Sequence, residues 1–222
     1  MRKLRTGLLF ALGVMAAALS GARAEDMSFR VIGVDGGRCR GNCPQVIAAQ
    51  GEIAESTPDA FINFVTQNVG AGNLHGIVLL DSPGGKVVAS MELGQAMRRL
   101  GMAVIVARPA ADQGRDMALA AGRCYSACVY ALMGGRKRVI PPQSRVGIHR
   151  MFNYSTSFDL SEGIVRERNY DDGGMRAMLA RYASGMGVSP ELVNLAERTS
   201  PDQLYMLTGA DIARWRLGAR KL

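Results

Sequence analysis

Histidine is nearly missing from this chain: 222 residues contain two, His75 and His149. Tryptophan occurs once and aromatic residues make up 6%. No dense Lys/Arg stripe with interleaved aromatics exists, so a nucleic-acid-binding surface is not expected. The longest apolar run, residues 8–19, has 12 residues, short of the roughly 20 that a membrane-spanning helix needs. Internal repeats are lacking, as is any linker rich in Pro, Gly or Ser, which excludes solenoids and points to one domain. Apolar residues make up 48% and charged residues 21%, a globular balance. A domain of about 200 residues removes roughly 70% of its unfolded surface from water, enough for a core that needs no disulfides. The four cysteines therefore require another explanation.

The formal charge of +8 is concentrated at the start. Arg2, Lys3 and Arg5 precede the apolar run, and Ala22-Arg23-Ala24 precede Glu25. This is the pattern of a secretory signal peptide over residues 1–24, cleaved near Ala24, with 25–222 as one domain. Its removal takes away four cations and no acid, leaving +4. A periplasmic or secreted location is expected, with no transmembrane anchor after cleavage. In an oxidising compartment, Cys39, Cys43, Cys124 and Cys128, arranged as two Cys-x-x-x-Cys pairs, are expected to form disulfides. A zinc site built from them is disfavoured by the same compartment and by the lack of a nearby histidine pattern. Neither a metal nor any other cofactor is expected.

Strand and helix signals alternate along the remainder. Residues 46–53 read as a strand, 58–68 as a helix opened by Ser56-Thr57-Pro58, and 76–80 as a strand buried on both faces. The turn Asp81-Ser82-Pro83-Gly84-Gly85 follows. Residues 87–100 have a helical apolar set and 102–107 read as the next buried strand. We expect a loop or partial helix over 108–123, a compact helix over 126–133, short strands at 139–140 and 145–149, and a long polar helix over 160–185. Residues 190–197, 204–207 and 210–216 close the chain. This alternation defines an α/β fold with a largely parallel sheet, in which sites form beyond the carboxyl ends of strands.

Three of the turns carry complementary chemistry. Gly84-Gly85 could expose backbone N–H donors, although a Pro-Gly turn is also ordinary punctuation. Ser126 stands before a small-residue helix, where it could be a nucleophile or simply a helix cap. His149 ends a strand; His75, in a loop, reads as a surface residue.

Together, Asp81-Ser82-Pro83-Gly84-Gly85, Gly122-Arg123-Cys124-Tyr125-Ser126-Ala127-Cys128, Gly135, Arg138 and Val146-Gly147-Ile148-His149 resemble the ClpP-like serine peptidases of the ClpP/crotonase superfamily. The resemblance spans most of residues 46–217 and is closest to small exported members with a Cys-x-Ser-Ala-Cys element. It implies a fold of repeated ββα units and a serine hydrolase acting on a peptide or protein. Ser126 would be the nucleophile, His149 the general base and Asp202 the orienting carboxylate. Asp171 and Asp211 are alternatives for the acid. The backbone N–H groups of Gly85 and Ala127 would form the oxyanion hole. The long helix over 160–185 would take the place of the family's assembly handle, implying a homo-oligomer.

Two departures follow from the sequence. No ATP-dependent unfoldase is expected outside the cytoplasm, and the acyl-CoA chemistry of the crotonase branch is disfavoured there too. Cysteines at 124 and 128 flank the implied nucleophile. Four cysteines allow three connectivities, with pairing inside each Cys-x-x-x-Cys slightly favoured. Helical i, i+4 spacing suits a disulfide poorly, so a Cys124–Cys128 bond demands an irregular turn before the helix. The competing reading is a non-catalytic binding or scaffold protein of the same fold.

Overall fold

A computed structural model describes residues 25–34, 43–70, 73–110, 118–170 and 173–221. The expected signal peptide and Cys39 lie outside these residues, as does Asp171. The chain runs β1 (Ser28–Gly33), β2 (Gln45–Gln50), α1 (Thr57–Asn68), β3 (Leu74–Asp81), α2 (Val87–Arg99), β4 (Ala103–Pro109), β5 (Leu119–Ala121) and β6 (Arg123–Tyr125). It continues through α3 (Cys128–Met133), β7 (Lys137–Val139), β8 (Arg145–Ile148), β9 (Phe152–Asp159), β10 (Gly163–Tyr170), α4 (Gly174–Gly185), α5 (Glu191–Arg198), β11 (Tyr205–Met206) and α6 (Gly209–Arg214).

The main sheet is parallel at its centre. β2, β3 and β4 pair in parallel, and β1 adds antiparallel to β2. Two short strands share the far edge of β4: β7 pairs in parallel with residues 103–105, and β5 pairs antiparallel with 107–109. Along β3 the side chains alternate between two apolar clusters, Val78 and Leu80 in one and Leu79 in the other. A strand buried on both faces needs this near-continuous apolar run. The larger cluster gathers Phe61 of α1, Leu93 and Met97 of α2, Leu132 of α3 and Leu192 of α5. Helices α2 and α3 cross at glycines: a Cβ on Gly134 would collide with the backbone of Gly94.

A second, three-stranded sheet positions the site. Its order is β11-β8-β6, with β6 and β8 parallel. Ser82, just past β3, bridges Cys124 of β6: its N–H donates to the Arg123 carbonyl at 2.8 Å and its carbonyl accepts from Tyr125 at 3.1 Å. The carboxyl ends of β3, β6 and β8 are thereby brought together, as the α/β pattern requires.

Two expectations require correction. Within 108–123, expected as a loop or partial helix, the described residues are mainly strand: β4 extends to Pro109, and β5 and the start of β6 fall inside it, with 111–117 outside the described residues. More consequentially, the helix over 160–185 begins only at Gly174, because its first half belongs to the hairpin β9–β10. Phe152, Tyr154, Thr156 and Phe158 alternate with polar residues and pair with Tyr170, Arg168, Arg166 and Ile164. Period two, with aromatic and β-branched residues, is strand chemistry. The hairpin turns where the Asp159 carboxylate accepts from the Ser161 and Glu162 N–H groups at 2.7 and 3.0 Å, and Gly163 takes φ +76°. These hydrogen bonds, led by that of the Ser161 hydroxyl, hold the Asp159 carboxyl below its ordinary range.

Candidate active site

Ser126 sits between β6 and α3 with φ +55°, one of two non-glycine residues at positive φ among the described residues. A left-handed serine costs of order 1–3 kcal/mol and persists only where its surroundings fix it. Here they do. Cys124 and Cys128 are joined by a disulfide across the turn, with Cα atoms 5.3 Å apart, and both are fully buried. The Ser126 N–H donates to the Gly147 carbonyl at 2.8 Å, and its own carbonyl accepts from Val129 at 3.1 Å. The helix expected from 126 starts at Cys128 instead, and the left-handed residue supplies the irregular turn that the bridge demands. With both cysteines oxidised, neither offers a thiolate to zinc. Cys43 has a free thiol, and Cys39, its expected partner, lies outside the described residues.

The glycine turn lies against this elbow. Ser82 is fully buried, and its hydroxyl accepts from the Gly84 N–H at 3.1 Å. The Gly84 carbonyl accepts from Ile53 at 2.7 Å, and Lys86 returns a bond to the Ile53 carbonyl at 2.8 Å. A Cβ on Gly84 would stand 2.9 Å from Ser126 Cβ and 3.3 Å from Ala127 N, which measures how closely turn and elbow approach. Gly85 has φ +137°, and a Cβ there would strike the Ile53 carbonyl. Among the described residues, neither the Gly85 nor the Ala127 N–H donates to a protein acceptor.

His149 follows β8 and lines the same groove as Ser126. Its Nδ1 lies 2.8 Å from the Arg150 carbonyl. A carbonyl can only accept, so Nδ1 is the donor here, and in the neutral imidazole this assigns the lone pair to Nε2. Arg150 is itself fixed: its N–H donates to the Thr199 carbonyl at 3.0 Å, its guanidinium lies 3.4 Å from the Glu197 carboxylate, and it stacks 4.6 Å from the Tyr170 ring centroid.

The expected acids stand differently. Asp202 pairs with Arg168 of β10 at 2.8 Å and is not brought onto the imidazole. Asp211 caps α6, accepting from the Thr208 N–H and hydroxyl at 2.9 and 2.7 Å, and these bonds hold its carboxyl below the ordinary aspartate range. Neither the Arg150 carbonyl nor the Arg168–Asp202 pair was foreseeable from residue order. The pair depends on the hairpin, whose sequence signal is the period-two alternation over 152–159.

Two hollows meet at Ser126 and His149. One is an apolar slot of about 10 Å³ between α3, β8 and α5, lined by Val129, Tyr130, Met133, Leu192 and Val193. The other is a groove of about 820 Å³ whose walls include Pro83, Gly85 and Lys86 on one side and Phe152, Tyr154 and Arg166 of the hairpin on the other. Burial raises the Tyr130 hydroxyl pKa well above its ordinary value, so the slot carries no phenolate.

This architecture is a mixed α/β fold that solved structures share over most of its length. Two solved structures of the 1510-N membrane-bound stomatin-specific protease are similar to it. One, a serine-to-alanine variant, superposes with a TM-score of 0.51 at 17% identity, covering 79% of this chain and 78% of that one. The other, a lysine-to-alanine variant in complex with a substrate peptide, gives 0.50 at 18% identity, covering 80% and 75%. No family model and no curated protein matches the chain.

Proposed function

We propose that the protein is an exported serine hydrolase, a peptidase of ClpP-like fold in which Ser126 is the nucleophile and His149 the general base. The observation that carries this reading is the left-handed, disulfide-bridged serine that lines one groove with a histidine whose Nδ1 is held by a backbone carbonyl. In the reaction Ser126 Oγ attacks the scissile carbonyl as Nε2 takes its proton. The Gly85 and Ala127 N–H groups receive the oxyanion, an effect worth roughly 3–4 kcal/mol per donor. The imidazolium then protonates the leaving amine, and water, activated by the same nitrogen, releases the acyl group.

The third position has two claimants, the Asp202 carboxylate suggested by resemblance and the Arg150 carbonyl. The hydrogen bond at His149 Nδ1 favours the carbonyl, which can hold the tautomer without adding charge. A groove of about 820 Å³ suits a polypeptide segment, and one structural neighbour was solved with a substrate peptide. The apolar slot would take a small side chain beside the scissile bond. Action after export and assembly of several copies belong to the same proposal. Cleavage of a mixed peptide library, read by mass spectrometry, tests it. Cleavage should occur after small apolar residues and vanish in Ser126→Ala and His149→Ala; a folded, disulfide-intact protein that cuts nothing would instead favour the scaffold reading.

A further inference from the structure

A third cavity, of about 440 Å³, opens on the outer side of the β6–β8 sheet and is lined by Arg108, Arg123, Arg145, Asp81, Tyr125 and Gln143. It shares neither Ser126 nor His149 with the groove. Arg123 and Arg145 are register partners on adjacent parallel strands, so their side chains leave the same face side by side. Like charges placed opposite one another destabilise a sheet unless something neutralises them. Asp81 neutralises one: its Oδ1 accepts from the Arg123 N–H at 2.9 Å and lies 3.8 Å from Arg123 Nε. No carboxylate pairs with Arg108 or Arg145 among the described residues; Arg108 Nε donates to the Ala121 carbonyl at 3.2 Å, leaving its terminal nitrogens available. Among the described residues, three guanidinium groups facing one carboxylate leave a surplus of two positive charges in the concavity.

We infer that this cavity binds a phosphate-class dianion. Guanidinium forks match the geometry of phosphate oxygens, and a phosphomonoester carries about −1.5 to −2 at neutral pH, which matches the surplus. A carboxylate would neutralise only half of it. Tyr125 and Gln143 add neutral donors at the wall. The phosphate could be free in solution or the headgroup of a lipid.

The test is a calorimetric titration of the purified protein with inorganic phosphate at low salt, with thermal melts alongside. Saturable one-to-one binding is expected, weakened about tenfold in Arg145→Gln and in Arg108→Gln and unchanged in Arg99→Gln, at the exposed end of α2. Phosphate should raise the melting temperature of the unsubstituted protein and not that of Arg145→Gln, which without phosphate should melt no lower because a like-charge contact is gone. Co-sedimentation with phosphatidylcholine vesicles containing phosphatidic acid, lost in Arg145→Gln, would assign the phosphate to lipid. Binding of free phosphate without vesicle capture would assign it to a soluble ligand. Absence of saturable binding in both arms, or equal weakening in Arg99→Gln, would overturn the inference.

Discussion

The two walls of the groove are built by opposite means. The elbow over 124–128 is anchored by the buried Cys124, Ala127 and Cys128, crossed by a disulfide and stitched to the neighbouring glycine turn through Ser82. The hairpin β9–β10 stands across from it as an isolated two-stranded ribbon, with Phe158, Ile164 and Leu160 exposed at 73%, 75% and 98%. A two-stranded ribbon alone is marginal in water. What ties this one to the body lies near its base: Arg168 to Asp202, Arg150 under the Tyr170 ring, and Phe152 beside His149 with ring centroids 6.1 Å apart. Groups that must be held to within fractions of an ångström sit on the rigid wall, and groups that need only cover substrate sit on the other.

Substitutions should separate the two walls. The largest effect is expected from Gly85→Ala, whose Cβ would strike the Ile53 carbonyl in a backbone conformation that L residues avoid. We expect a loss of about 3 kcal/mol or more in denaturant unfolding and no detectable peptide cleavage. Next comes Cys124→Ala with Cys128→Ala. Closing so short a loop stabilises by about 2 kcal/mol, and freeing Ser126 to leave its left-handed conformation should lower kcat about tenfold or more, with KM little changed.

The hairpin side should respond weakly. Asp202→Asn removes an exposed, solvent-screened ion pair and should leave kcat within about threefold. A carboxylate serving as the third triad member would instead lower it about ten-thousandfold. Thr208→Ala, at the start of α6, should cost about 1 kcal/mol through the lost cap. The folded-state pKa of Asp211 is depressed, chiefly by the Thr208 hydroxyl. Its contribution is therefore present above the unfolded aspartate pKa of about 3.9 and lost as pH falls through the folded value, so the difference from Thr208→Ala should narrow in acid. Leu160→Ser at the hairpin tip should change stability by less than about 0.5 kcal/mol.

The same division governs what could be read from the sequence. On the rigid side, burial writes its own pattern: the unbroken apolar run of β3 and the helical sets of α1 and α2 mark these elements within a position or two. The hairpin has no buried face to impose a period on 160–170, so its polar second strand runs without a break in pattern into α4. The partner of Asp202 was lost with it, since Arg168 reaches that carboxylate only from a strand. His149 was legible as the end of a strand; the carbonyl at its Nδ1 was not, because backbone acceptors leave no mark on residue identity.

The central claim, a reactive serine held by a bridged elbow, is tested most directly by fluorophosphonate labelling of the disulfide-intact protein with the adduct mapped by peptide mass. A single adduct on Ser126, absent in Ser126→Ala and strongly slowed in His149→Ala, is the predicted result. No adduct, or an adduct that forms as fast when His149 is replaced, would contradict it.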